Sequence, residues 1–342
     1  MKERLFGRGF LNGSNRLITL TLLGILLGFQ VSCRPIQRAA VDDGLRGDLV
    51  IFHAGSLTIP VKDLTEAFHS RHPGVSFTTE AAGSRTTARK VSELDRQADV
   101  VMAADYQVIE NLLIPEFASW NILFARNTMV LAFDEKSLYS GEINVKNWYE
   151  ILLREEVEFG HSDPNSDPNG YRTLMVWQLA EEYYEEEDLY QQLDLASPPE
   201  NIRPKETDLI ALLETGELDY IFNYLSVAVQ HDLEYVILPD PINLSQLEYA
   251  ADYRRAELEI SGRSPGETIL IEGKPIVYGV TIPKNAPEPE LAEQFLLFLL
   301  SAEGQEILRN QGQPPLRPAR GLHVEALPPV LASEVQAFNS QD

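Results

Sequence analysis

Between residues 48 and 103 the chain alternates strand-length apolar runs with segments of helical period, and that rhythm leaves few architectures open. Residues 48–53, 75–80 and 99–103 read as strands, and residues 60–70 and 85–95 as the helices between them. Strands joined through helices run parallel with right-handed crossovers, so the segment specifies an open α/β sheet. Ligands of such sheets bind at the carboxyl ends of the strands. Two Gly-Ser elements, Ala54-Gly55-Ser56 and Ala81-Ala82-Gly83-Ser84, fall at those ends, each ahead of a helix. Glycine lets a bound group approach the backbone, and a helix start offers unpaired N–H groups beside the serine hydroxyl, a combination that suits an anion. One such element is most simply an ordinary serine cap; two in one lobe point further.

The pattern changes character near Thr128. Residues 128–133 read as a strand crossing into a second lobe, followed by a helix at 147–153, a strand at 157–160 and a helix from Gly170 to about Tyr184. The acid-dense stretch 183–188 reads as a solvated helix end. Then come Ile202-Arg203, a helix over 205–214, a strand over 218–222 and a helix beginning near Ser226. Residues 268–282, interrupted by Glu272-Gly273-Lys274-Pro275, read as a hairpin returning toward the first lobe, and residues 287–300 and 302–310 as closing helices. The expected division is lobe 1 over 48–127 with 284–325, lobe 2 over 128–283, and a loose carboxyl-terminal tail over 326–342.

The second lobe carries two carboxylates in turns that lead into helices, Asp167 in Ser-Asp-Pro-Asn-Gly-Tyr-Arg and Glu206 in Arg-Pro-Lys-Glu. Taken alone, Asp167 is a helix cap, with Asn169 able to present its N–H. A calcium loop is excluded. A frame starting at Asp163 puts Pro168 where glycine is required, and a frame starting at Asn165 puts Val176 where the bidentate glutamate belongs. A carboxylate pair also admits a hydrolase working by general acid and base, which needs a cleft and one acid of raised pKa. The six histidines have no metal-ligand spacing, and no nucleophile elbow, phosphate loop or dinucleotide fingerprint occurs. Catalysis is therefore the weaker reading.

The amino-terminal segment carries Lys2, Arg4, Arg8 and Arg16 and then an uncharged, Leu-rich run from Leu17 to Cys33. These are the charged and apolar regions of an export signal, shorter than the roughly 20 apolar residues of a spanning helix. Residues 1–32 are expected to be a signal peptide and 33–47 a lipidated linker, with Cys33, the single cysteine, as the lipidation site. A lone cysteine makes no internal disulfide, so the fold must rest on core burial. The expected location is outside the cytoplasmic membrane, anchored to its outer face or periplasmic. The formal charge is −24, and removing residues 1–32, with four bases and one acid, lowers it to −27. Such a chain repels nucleic acid and anionic lipid, so neither is an expected partner. An anion site on it must act through short-range directed hydrogen bonds, since the overall field is screened beyond about 8–10 Å.

Longer strings carry a resemblance. His53-Ala54-Gly55-Ser56-Leu57, Glu80-Ala81-Ala82-Gly83-Ser84, Ala98-Asp99-Val100-Val101, Ala104-Asp105-Tyr106, Asn147-Trp148-Tyr149-Glu150-Ile151-Leu152, Asp167-Pro168-Asn169-Gly170-Tyr171-Arg172, Arg203-Pro204-Lys205-Glu206 and the run from Gly273 to Pro287 are similar to the archaeal-type tungstate/molybdate-binding proteins of ABC importers. The similarity covers nearly all of residues 48–315. It implies an α/β, two-lobed periplasmic-binding-protein-like fold of the second type (type II), with a ligand cleft between the lobes. It further implies a monomer without catalysis or cofactor, whose cargo is tungstate or molybdate and whose partner is an ABC permease in the cytoplasmic membrane. By matching motif, the oxyanion would be held by Gly55, Ser56 and Ser84 from one lobe and by Asp167, Asn169, Glu206 and Tyr224 from the other, with Asp167 and Glu206 bonded directly to the metal. The resemblance also accounts for acids facing an anion. Mo(VI) and W(VI) are hard, oxygen-seeking centres that expand from four- to six-coordinate, which sulfur in sulfate and phosphorus in phosphate do not readily do. Two carboxylates would then attract the right anion and repel the abundant wrong ones. Closure would turn on strands near 128–133 and 276–282. The segment between Tyr171 and Arg203 is shorter than in the archaeal relatives, a departure on the outer face of lobe 2. A binder of another tetrahedral oxyanion such as sulfate, and an exported hydrolase using Asp167 and Glu206, stand as the alternatives.

Overall fold

The computed structural model describes residues 44–338, so the expected signal peptide, Cys33 and residues 339–342 lie outside the described residues. The strands are β1 (Arg46–Ala54), β2 (Gly74–Ala82), β3 (Val100–Ala103), β4 (Asn121–Arg126), β5 (Met129–Phe133), β6 (Phe159–Ser162), β7 (Ile202–Arg203), β8 (Tyr220–Tyr224), β9 (Glu234–Ile237), β10 (Glu257–Ser261), β11 (Thr268–Glu272), β12 (Val277–Thr281), β13 (Pro315–Leu322) and β14 (Val335–Ala337). They form a seven-stranded sheet in the order β14-β13-β4-β12-β3-β1-β2, a five-stranded sheet in the order β7-β6-β8-β5-β9, and the separate pair β10-β11. Each of the two larger sheets is the floor of one lobe.

In the larger sheet β1 lies between β2 and β3, parallel to both. Helices cover it on two sides, which is why Leu49, Ile51, Phe52 and Ala54 are all buried. On one face Phe68, from the helix Thr58–Arg71, meets Phe77, Phe295 and Phe298 edge-on and so locks that helix to Pro289–Leu300. On the other, Ala88, Val91, Val108, Ile109 and Leu112 pack with Phe52 and Val101. Buried Asp99 joins distant segments, its carboxylate accepting from the amides of Val50 at 2.8 Å and Glu288 at 2.6 Å. The second lobe is built on β5 and β8, in which every residue is buried, and on an aromatic cluster in which Trp177 stands edge-on to Phe159, His161 and Phe222.

Register places the functional turns. Pairing of Ala54 with Ala82 ends β1 and β2 at the same level, so Gly55-Ser56 and Gly83-Ser84 leave the sheet side by side. In the other lobe Ser162 pairs with Arg203, so the turns bearing Asp167 and Glu206 also leave side by side. The chain crosses between lobes at Asn127-Thr128 and again ahead of β12, and the two crossings touch through Asn127 N–H donating to the Ile276 carbonyl at 3.4 Å.

Two expectations are corrected. Residues 268–282 are not a hairpin: β11 pairs antiparallel with β10, whereas β12 runs into the larger sheet between β3 and β4, so this strand does not sit in the second lobe. The break at Gly273-Lys274-Pro275 separates them, because proline has no amide to donate and Gly273 presses on Tyr253, where a β-carbon would come within 2.2 Å of the carbonyl oxygen. The tail is not loose. β13 pairs with β4 and β14 with β13, over buried Leu327 and Leu331. The acid-dense stretch is the solvated helix end expected of it: the helix stops at Tyr184, with Glu185 left-handed at φ 58°, and a second helix that the sequence reading lacked, Leu189–Ala196, follows, anchored by buried Leu189 and Leu193.

Candidate functional site

The four turns converge on one buried place where the lobes meet. Ser56, Asp167, Asn169, Glu206 and Tyr224 are fully buried and Ser84 nearly so. A β-carbon on Gly55 would lie 2.8 Å from Glu206 Oε2 and 2.9 Å from Oε1, so any larger residue there would have to push that carboxyl group aside. Gly83 is as tightly placed: a β-carbon there would come within 2.4 Å of the Ser166 carbonyl oxygen and 2.8 Å of that of Pro204. A surface groove of about 360 Å³ along the seam is lined by Gly55, Thr58, Ala81, Lys205, Thr207 and His231.

The two acids, equivalent in the sequence, are unequal in the structure. Asp167 caps the helix Pro168–Tyr184, one oxygen accepting from Asn169 N–H at 3.3 Å and the other from Glu206 N–H at 2.9 Å. It therefore staples the two acid turns together, and the Asn169 amide expected to face a ligand is spent on the cap. The Asn169 side chain accepts from the Ser162 hydroxyl at 3.3 Å. Glu206 lies just before the helix Asp208–Thr215 rather than within it, and among the described residues no N–H or hydroxyl group donates to either of its side-chain oxygens. Burial above all, then the neighbouring Asp167 charge and a hydrogen bond shared with the Asp167 carboxyl, push the Glu206 carboxyl well above the usual range, with its own amide and that of Ser56 opposing. Burial also raises Asp167, against the Glu206 carboxyl and then the two amides, all of which favour its charged form.

The hydroxyls around Glu206 are held from behind. Ser56 Oγ accepts from Tyr278 Oη at 2.9 Å, Ser84 Oγ from the Ala104 amide at 2.9 Å, and Tyr224 Oη from Arg172 Nη1 at 2.9 Å. Burial pushes the Tyr224 phenol well above its ordinary value, with the Arg172 charge opposing, so it keeps its proton. None of these three hydroxyls has an acceptor for its own hydrogen among the described residues. Not every helix start is free, however: the first amides of the helix Ser84–Ser92, those of Arg85 and Thr86, donate across the seam to the Ser166 carbonyl at 3.1 and 3.2 Å. The place thus offers hydroxyl donors and a carboxyl group that takes no N–H or hydroxyl donor.

A family model described as bacterial extracellular solute-binding protein matches residues 49–313. The chain belongs to that family. This solute-binding protein is 52% identical over 296 residues to a solute-binding protein of Petrotoga mobilis, covering 86% of this chain and 91% of the relative. It is 45% identical to the molybdate/tungstate-binding protein WtpA of Pyrococcus abyssi (79% of this chain, 85% of the relative) and 43% identical to that of Thermococcus kodakarensis (79% and 82%). Among solved structures it shares its fold with the Azotobacter vinelandii periplasmic molybdate-binding protein, at a TM-score of 0.56 and 17% identity over 78% of this chain and 98% of that one. These neighbours bear out the two-lobed α/β fold and the resemblance on which it was expected. Among the described residues no helix of this solute-binding protein is long and apolar enough to cross a membrane.

Several residues behind the site escaped the sequence. Arg172 and Tyr171, in the second lobe, reach Asp105 in the first: Tyr171 Oη donates to Asp105 at 2.6 Å, Arg172 pairs with it at 3.1 Å, and Arg172 also donates to the Ala104 carbonyl at 2.9 Å. Their signal lay in the strings Asp-Pro-Asn-Gly-Tyr-Arg and Ala-Asp-Tyr, but a buried arginine can only be assigned once its partner is known. Because Arg172 stays charged, Asp105→Ala would leave it buried without its counter-charge. We expect a loss of about 3–5 kcal/mol in urea unfolding, and a loss under about 1 kcal/mol would show that water replaces the pair.

Proposed function

We propose that this protein captures tungstate or molybdate outside the cell and delivers it, as a monomer, to an ABC permease in the cytoplasmic membrane. The observation that carries the reading is Glu206, a fully buried carboxyl group that takes no N–H or hydroxyl donor, among hydroxyls whose hydrogens are unclaimed. A purely structural site would have satisfied such groups. A tetrahedral oxyanion takes up the hydroxyl hydrogens through its oxygens, and a metal centre that expands its coordination takes the carboxylate oxygens. In this reading Gly55, Ser56, Ser84 and Tyr224 line the oxyanion, Glu206 bonds the metal, and Asp167, whose oxygens retain lone pairs beyond the two amides, bonds it as well. Asn169 acts through the cap. The two relatives named as molybdate/tungstate-binding proteins support the choice of ligand. Residues 1–32 serve as the signal peptide, Cys33 carries the lipid anchor, and the lobes open about the crossings at Asn127 and Ile276.

The test is calorimetric titration with tungstate, molybdate, sulfate and phosphate, joined to X-ray absorption on the loaded protein. Saturable binding of the first two, with a six-coordinate metal, is the expected result. Tighter binding of sulfate, or a four-coordinate metal, would overturn the coordination by Asp167 and Glu206.

A further inference from the structure

Behind Ser56 runs a chain of buried polar groups that reaches the crossing between lobes. Asn127 Oδ1 accepts from the amides of Thr128 at 3.0 Å and Ser226 at 3.3 Å. Backbone N–H groups can only donate, so this end of the amide is the oxygen and the other is the nitrogen. Asn127 Nδ2 then donates to Ser226 Oγ at 2.7 Å and to Tyr278 Oη at 2.8 Å. Having accepted from Asn127, the Tyr278 hydroxyl places its single hydrogen on Ser56 Oγ, 2.9 Å away; the reverse direction would leave a buried phenolic hydrogen without an acceptor. All four residues are buried, at 0–3% exposure.

We infer that Asn127 and Tyr278 are positioning residues that set the direction of the Ser56 hydrogen bond, so that Ser56 meets the anion only as a donor. The inference rests on the functional reading above and adds to it two residues that touch no ligand. Asn127 stands at the crossing where the lobes join and Tyr278 on β12, so the donor is set where the first lobe meets the hinge. Networks of this kind are worth more than their separate bonds because each donor polarises the next.

The test reverses the chain while keeping the shape of the side chain. In Asn127→Asp the carboxylate accepts where the amide nitrogen donated, so Tyr278 turns its hydrogen to residue 127, Ser56 donates to Tyr278, and a lone pair faces the anion. Titrated with tungstate, Asn127→Asp is expected to bind about 100-fold more weakly than the natural protein and Tyr278→Phe about 10-fold more weakly. The double variant Asn127→Asp with Tyr278→Phe is expected to bind like Tyr278→Phe alone, about 10-fold tighter than Asn127→Asp, because the reversed message has no carrier. Damage to the fold, or simple repulsion by the new charge, would make the double variant the weakest of the three, and that result would overturn the inference. A second cycle guards against misfolding of Asn127→Asp: adding Tyr278→Phe to Ser56→Ala is expected to change affinity by less than about twofold, and an independent 10-fold loss would overturn it equally. Absence of tungstate binding by the natural protein would instead remove the functional reading itself, and the relay with it.

Discussion

Glu206→Gln is expected to make the ligand-free protein more stable and to lose tungstate in the same step. The side chain keeps its shape, but a buried acid that must take up a proton to share with Asp167 becomes a neutral amide able to donate there at any pH. A gain of about 1–3 kcal/mol in urea unfolding at neutral pH follows, because burying the amide needs no proton uptake. Affinity should fall at least about 100-fold, since glutamine is a poor ligand for a hard oxophilic centre. Sites evolved for binding commonly carry such a stability deficit. The pH dependence has a definite sign. A carboxyl held above its ordinary value when folded binds more protons folded than unfolded, so its stabilising contribution is full at low pH and is lost as pH rises from about 4.3 through the raised value. The natural protein should therefore lose stability relative to Glu206→Gln across that window. A variant that is less stable at neutral pH, or that still binds tungstate tightly, would show that Glu206 is an ordinary structural acid.

The second large effect is expected from Gly83→Ala. Gly83 sits at φ −54° and ψ 139°, a conformation open to any residue, so alanine brings no backbone strain of its own. Its β-carbon would nonetheless come within 2.4 Å of the Ser166 carbonyl and 2.8 Å of the Pro204 carbonyl, both backbone atoms of the opposite lobe that cannot swing aside. The first lobe should fold normally while the closed arrangement becomes inaccessible. Tungstate affinity is expected to drop more than about 100-fold, which needs only about 2.7 kcal/mol against closure. Small-angle scattering should show a radius of gyration that no longer shrinks with ligand. Compaction equal to that of the natural protein would mean that the seam has slack the structure does not show.

Much of the fold was legible because the signals that specify it are local. Alternation of apolar runs and helical segments defined β1, β2 and β3 with their crossovers, and proline and glycine marked the turns. The errors fell where pairing partners are distant. β12 was assigned to a hairpin with β11 because they are neighbours in sequence, yet its burial on both faces suited the larger sheet. The tail over 326–342 reads as loose because the three residues of β14 carry no local strand signal; only pairing with β13 holds them.

By itself, the sequence determined the parallel α/β framework, the Gly-Ser elements at strand ends, and the presence of two acids in capping turns. Those depend on residues a few positions apart, through periodicity and turn chemistry. Only the tertiary structure decided that Asp167 is engaged by amides while Glu206 receives no N–H or hydroxyl donor, that Gly83 abuts the opposite lobe, and that Ser56 is held by Tyr278. Each of these joins groups far apart in the chain, 39 residues between Asp167 and the Glu206 amide and 222 between Ser56 and Tyr278, so the direction of a hydrogen bond or the cost of a buried charge is defined only once the lobes have met.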